Sequence, residues 1–60
     1  MNHKEKIIAT QFAEAMVMED EKKITFCIDK ITNMKNQNKI YSMAGKLIRQ
    51  FSGPTSDSIN

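Results

Sequence analysis

The 60-residue chain has nine Lys or Arg residues and seven Asp or Glu residues, for a net charge of +2, with one Cys and no Trp. A chain this short forms at most one domain and buries only about 60% of its unfolded surface. The single cysteine excludes an internal disulfide and a zinc site of several thiolates. The longest nonpolar run, residues 15–18, is far shorter than the ~20 residues of a membrane-spanning helix.

The composition also favours a location and a source. One free cysteine and no recognisable signal peptide predict the reducing cytoplasm. Many Lys, Ile and Asn residues are typical of a microbial or phage gene. Because a core of this size contributes no more than ~3–5 kcal/mol, we expect a partner or a second copy to add stability.

The first predicted helix spans residues 3–18. Asn2 followed by Glu5 is an N-cap with its capping-box partner. The nonpolar residues that recur at helical spacing, and so are expected to face the core, are Ile8, Phe12, Ala15 and Met16.

The second predicted helix spans residues 20–35, with Asp20 as its N-cap and acidic neighbours that favour a helix start. Its nonpolar stripe consists of Ile24, Cys27, Ile28, Ile31 and Met34. Because Cys27 lies within this stripe, it is expected to be a small buried hydrophobic residue rather than a reactive thiol.

The third predicted helix spans residues 38–52, with Asn36 or Asn38 as its cap. Gly53 is the expected C-terminal cap, and Pro54 prevents continuation. The polar residues 53–60 are predicted to form a flexible, disordered tail. The nonpolar stripe of this helix consists of Ile40, Met43, Ala44, Leu47 and Phe51.

The three stripes would point in different directions on one continuous helix, so two breaks are expected. Three amphipathic helices with short connections predict an all-α fold, a small three-helix bundle with antiparallel neighbours, in which residues 1–52 form a single domain. The alternative is a helical hairpin that dimerises into a four-helix bundle, if one break is only a kink.

Charge is divided unevenly, with a net −3 over residues 1–21 and a net +6 over residues 22–52. This division either holds the two halves of the fold together or displays a positive face. Lys23 and Lys30 would extend such a face if helices 2 and 3 are neighbours. The polar and basic residues that share a sector of about 80° on helix 3 are Lys39, Ser42, Lys46 and Arg49.

No pattern in the sequence predicts catalysis, a cofactor or a metal site, and we expect the protein not to be an enzyme. The acids at 19–21 are explained by helix capping. Several nonpolar residues remain outside the stripes, and aromatic and Met side chains are enriched in interface cores. The residues predicted to bind a protein partner, with the last two as a charged rim, are Phe26, Tyr41, Ile48, Lys46 and Arg49.

The leading functional hypothesis is a small protein-binding regulator, an adaptor, inhibitor or anti-regulator of a larger intracellular protein, with homodimerisation as a further option. The alternative is a DNA- or RNA-binding regulator that uses Lys39, Ser42, Lys46 and Arg49 to contact phosphates. It is less favoured because base readout needs suitable side chains at the start of the recognition helix, where only residues 36–38 qualify.

Overall fold

The computed structural model describes residues 2–52, which form three helices: α1 (His3–Met18), α2 (Glu21–Thr32) and α3 (Gln37–Ser52). The predicted all-α class and three-helix bundle are confirmed. The predicted tail, 53–60, lies outside the described residues, as do the expected C-cap Gly53 and Pro54. Within the described part of the chain, no helix has the length and hydropathy required to cross a membrane.

The start and end of α1 are both fixed by local hydrogen bonds. The Glu5 backbone N–H donates to Asn2 Oδ1 over 2.8 Å, and the Asn2 backbone N–H donates to Glu5 Oε1 over 3.0 Å, so the predicted capping box is confirmed. At the other end, Glu19 adopts a left-handed conformation with φ 55°. The N–H groups of Glu19 and Asp20 then donate back to the carbonyls of Met16 and Ala15, which ends the helix.

α2 begins as predicted and ends early. Asp20 Oδ1 accepts a hydrogen bond from the Lys23 backbone N–H over 3.3 Å, which confirms this N-cap. The helix ends at Thr32 rather than at residue 35 because side chains take over its last carbonyls. Asn33 Nδ2 donates to the Asp29 carbonyl over 3.1 Å, and Gln37 Nε2 donates to the Thr32 carbonyl over 2.8 Å. Residues 33–36 therefore form the turn into α3.

The start of α3 differs from the predicted side-chain cap. The Asn36 carbonyl accepts from the Ile40 backbone N–H over 3.1 Å, so the hydrogen-bond ladder of α3 begins at the backbone of Asn36. The Asn36 side chain turns to α1, where its Nδ2 donates to Glu5 Oε2 over 2.8 Å. This contact spans 31 positions in the chain, which no local capping pattern could predict.

α1 is the central helix, because it packs against both α2 and α3 while those two contact each other little. Because α1 is covered on two sides, Ala9 and Ala13 are fully buried, although they were not predicted to face the core. Met16 was predicted to face the core and is exposed instead. Ile28 of α2 is also exposed, because the flank of α2 toward α3 stays open. The buried core consists of Ile8, Ala9, Phe12, Ala13, Cys27, Ile31, Ile40 and Ala44.

The chain runs up, down and up, so α1 is antiparallel to α2, as predicted, and parallel to α3. The Glu5–Asn36 hydrogen bond joins the N-terminal ends of α1 and α3. At the opposite end, Val17 of α1 and Phe51 of α3 line one groove. Glu14 and Met18 line both this groove and a groove with α2, so both neighbouring helices border the exposed side of α1 at this end.

Candidate protein-binding surfaces

An open groove of about 350 Å³ separates α1 from α2 on the molecular surface. Its nonpolar wall is formed by Ile7 of α1, which is 44% exposed, and Phe26 of α2, which is 57% exposed. Lys4 and Lys30 lie at the same groove. The outward orientation predicted for Phe26 is confirmed, since most of this ring contributes nothing to the core.

The Phe26 ring is accompanied by a cation. Lys30 Nζ lies 5.1 Å from the ring centroid, within the range of a cation–π interaction. The two residues are four positions apart on α2, so both face the same side of the helix. The result is a nonpolar ring with a positive rim on a surface open to solvent.

A second groove adjoins the first on the other side of Phe26. It is lined by Glu14 and Met18 of α1 and by Lys23 of α2. Met18 is 75% exposed. Lys23 and Lys30 both lie at the α1–α2 grooves, and α2 contacts α3 little, so the predicted merger of these lysines with the basic side of α3 does not occur.

The flank of α3 is less open than its sequence suggested. The Tyr41 ring packs edge-on against Phe12, with 5.6 Å between ring centroids and an interplanar angle of 67°. Ile48 is only partly exposed and packs against the core. Tyr41 is therefore exposed along one edge of its ring and Ile48 over part of its side chain, whereas both side chains were expected to be fully exposed.

The basic residues predicted on α3 are all exposed. Three of the four sequence-predicted phosphate contacts line one shallow depression, with Asn38 and Met43 beside them: Lys39, Ser42 and Lys46. Arg49 lies on the same outer side of the helix, one turn further along. Phe26 is on a different helix, so the residues predicted as one interface fall on two surfaces.

Glu5 is a buried acidic residue whose second role was missed from the sequence. It is 5% exposed and accepts hydrogen bonds at both carboxylate oxygens. The Asn2 backbone N–H, and then the Asn36 side chain, hold the pKa of Glu5 below its ordinary value, because both bonds favour the charged form. Its position three residues before Ile8 and four before Ala9 places it on the buried side of α1, a signal that the spacing contained.

Cys27 is a buried free thiol, as predicted, with 3% of its surface exposed. Burial raises the pKa of Cys27, which keeps the thiol protonated and weakly nucleophilic. Residues 2–52 bring together no group of three or more His, Cys, Asp or Glu side chains that could hold a metal ion.

Comparison with known protein families, with curated proteins and with solved structures finds no match. The functional assignment therefore rests on two surfaces of the fold. We refer to the side carrying Ile7, Gln11, Glu14, Met18 and Phe26 as the α1–α2 face. The α3 face carries Tyr41, Ile48, Lys39, Ser42, Lys46 and Arg49.

Proposed function

We propose that this protein is a small, non-enzymatic regulator of the cytoplasm that binds a larger protein as an adaptor, inhibitor or anti-regulator. The observation that carries the proposal is Phe26, a large aromatic residue that is 57% exposed beside a nonpolar groove. Aromatic side chains in such positions are typical anchors of protein interfaces. With Ile7 and Met18 in the adjoining grooves it forms an exposed nonpolar patch, and such patches mark interaction sites.

The α3 face supplies a second contact of different character. Tyr41 presents an edge whose other side is held by Phe12, so little conformational entropy is lost when a partner covers it. Arg49 is exposed on the neighbouring sector of α3, and Lys46 is exposed further around the helix. We propose that these cations steer encounter with an acidic partner surface, and that Phe26, Tyr41 and Ile48 provide the nonpolar contact.

The proposal is tested by affinity capture from the host lysate after nuclease treatment. The wild-type protein should retain a specific protein, and the Lys46→Glu/Arg49→Glu variant should lose it or retain less. The matched single changes are Lys46→Glu, which should reduce capture, and the control Lys35→Glu, which reverses an exposed charge in the turn between α2 and α3, outside both faces, and should behave as wild type. The assignment of the α3 face would be contradicted if nuclease treatment abolished capture. It would also be contradicted if the α3-face variants and the control captured the same amount of protein.

A nucleic-acid-binding regulator is the second candidate, favoured by the depression that Lys39, Ser42 and Lys46 share. Such binding should weaken steeply with salt, because each phosphate contact releases counterions. Replacing Lys39 or Lys46 with Ala should reduce the salt slope by about one. Lys22→Ala is the control. An absence of binding to duplex and single-stranded probes at low salt would exclude this candidate.

A further inference from the structure

The exposed side of α1 carries a regular stripe of residues spaced alternately by three and four positions. In chain order they are Lys4, Ile7, Gln11, Glu14 and Met18, and all five are exposed. This is the spacing with which one helix packs along another. Phe26 of α2 lies beside the middle of the stripe, because Gln11 lines the grooves on both sides of its ring.

The stripe is complementary to itself when reversed. A two-fold axis between Gln11 and Glu14 would bring Ile7 of one copy to Met18 of the other. The same axis would bring Gln11, which can donate from its amide, to the Glu14 carboxylate. Nonpolar residues thus meet nonpolar ones, and a donor meets an acceptor. A surface that pairs with itself in this way forms a closed dimer.

The charges at the two ends of the face also match after reversal. Lys4 and Lys30 lie at one end. Toward the other end, beyond Glu14, the turn from α1 into α2 carries the acids Glu19, Asp20 and Glu21, which outnumber Lys22 and Lys23. In the reversed pair the basic end of each copy approaches the acidic end of the other, and parallel docking would instead bring like charges together.

We propose that a second copy of this chain docks on the α1–α2 face in this antiparallel arrangement, with the two Phe26 rings near the axis. The proposal deepens the proposed function, since it rests on Phe26 serving association, and it names the partner of that face. Two α1–α2 hairpins then stack face to face and form a four-helix bundle. Each α3 face remains on the outside, open to a different protein.

The area of the α1–α2 face determines how tightly two copies are expected to bind each other. A 16-residue helix is about 24 Å long, and two helices packed side by side are about 19 Å wide, so each copy contributes about 450 Å² of flat area. This is below the ~800 Å² that each partner contributes to a typical stable interface. The dimer should therefore be weak, with a dissociation constant in the micromolar range or above.

Sedimentation equilibrium tests this dimer. Between about 10 and 500 µM, the wild-type mass should rise from the chain mass of 6.9 kDa toward twice that value. Phe26→Asp should raise the dissociation constant at least about tenfold, as expected at the centre of an interface. Thr25→Asp adds the same charge to an exposed neighbour outside the grooves and should leave dimerisation unchanged.

Two further experiments test the arrangement of the copies. Lys4→Glu should weaken the dimer, and adding Glu19→Lys in the same chain should restore it, because the axis brings the Lys4 end of one α1 to the Glu19 end of the other. A mixture of Ile7→Cys and Met18→Cys chains should form disulfide-linked pairs faster than either variant alone.

A wild-type protein that remains at 6.9 kDa over the whole range would overturn the self-docking, as would a dimer unaffected by Phe26→Asp. A monomer that still captures a lysate protein through Phe26 would overturn this proposal alone and leave the proposed function in place. A monomer that captures nothing would overturn both.

Discussion

The carboxylate of Glu5 is hydrogen bonded at both oxygens, to the Asn2 backbone N–H and to the Asn36 side chain. It therefore lies where the N-termini of α1 and α3 meet, and both helix dipoles favour a negative charge there. A residue expected only to complete a capping box also joins two parallel helices. This explains how a carboxylate can be 5% exposed and remain charged.

Stability should depend on pH through Glu5. Because the folded-state pKa is lowered, this group stabilises the fold above its unfolded pKa of about 4.5, and the contribution is lost as pH falls through the folded value. Glu5→Gln should therefore flatten the fall in Tm on acidification below about pH 5. Thermal unfolding followed by circular dichroism across this range measures the effect.

Asn36 provides the matched comparison for the pH experiment. Asn36→Ala removes the second hydrogen bond to Glu5 and should remove part of the acid dependence. Asn38→Ala changes a nearby exposed amide and should leave the dependence intact. Equal acid slopes for wild type and Glu5→Gln would show that Glu5 is not the group responsible.

Gly45 should be replaceable with a gain in stability. It lies inside α3, and a Cβ built there would meet no atom within 4 Å. Glycine in a helix interior costs roughly 0.5–1 kcal/mol relative to alanine because it loses more backbone entropy on folding. Gly45→Ala should raise the free energy of unfolding by about that amount, measured by urea denaturation. A loss of stability would contradict the open surroundings of this residue.

At the scale of whole helices, α1 differs from its neighbours because it is covered on two sides. Such a helix has a broad nonpolar arc, so a narrow stripe is a poor guide to what it buries. This is why Ala9 and Ala13 were missed while Ile8 and Phe12 were placed correctly. α2 and α3 are covered on one side each, and Cys27, Ile31, Ile40 and Ala44 all lie where their spacing predicted.

Two isoleucines of α2 provide a matched test of this packing. Ile31 is fully buried, whereas Ile28 is 42% exposed on the flank left open toward α3. Ile31→Ala should cost about 2–5 kcal/mol, through lost burial and the cavity left behind. Since that is comparable with the total stability of so small a core, the variant should be largely unfolded.

Ile28→Ala should cost less than about 1 kcal/mol, because little buried surface is lost. Urea unfolding of the two variants, followed by helical circular dichroism, compares them directly. Similar losses at both positions would mean that α2 and α3 pack together more closely than the structure shows.

Helix positions could be predicted from the sequence because capping residues and nonpolar spacing are local. The capping residues Asn2 and Glu5 fix the start of α1, and Asp20 fixes the start of α2, through hydrogen bonds between residues three positions apart. What could not be predicted depends on contacts between distant segments. The Asn36 side chain bonds Glu5 rather than its own helix, and Ile48 packs against the core although its spacing put it outside the nonpolar stripe of α3.

For the whole molecule, the sequence predicted that some nonpolar residues would be exposed, but not that they would lie on two separate surfaces. Phe26 was predicted to share an interface with Tyr41 and Ile48. The structure places Phe26 on α2 and the other two on α3, and these helices contact each other little. Under the proposed function, the two faces would bind two different neighbours, which a single continuous interface would not do.

The central claim is that Phe26 serves binding rather than folding, and one variant tests it most directly. Phe26→Asp should lower the free energy of unfolding by no more than about 1 kcal/mol, measured at concentrations low enough for monomers. In the same preparation, dimerisation and capture of a protein from nuclease-treated lysate should be reduced or lost, and Thr25→Asp should alter neither. An unfolded Phe26→Asp protein, or one that is stable and associates as wild type does, would contradict the claim.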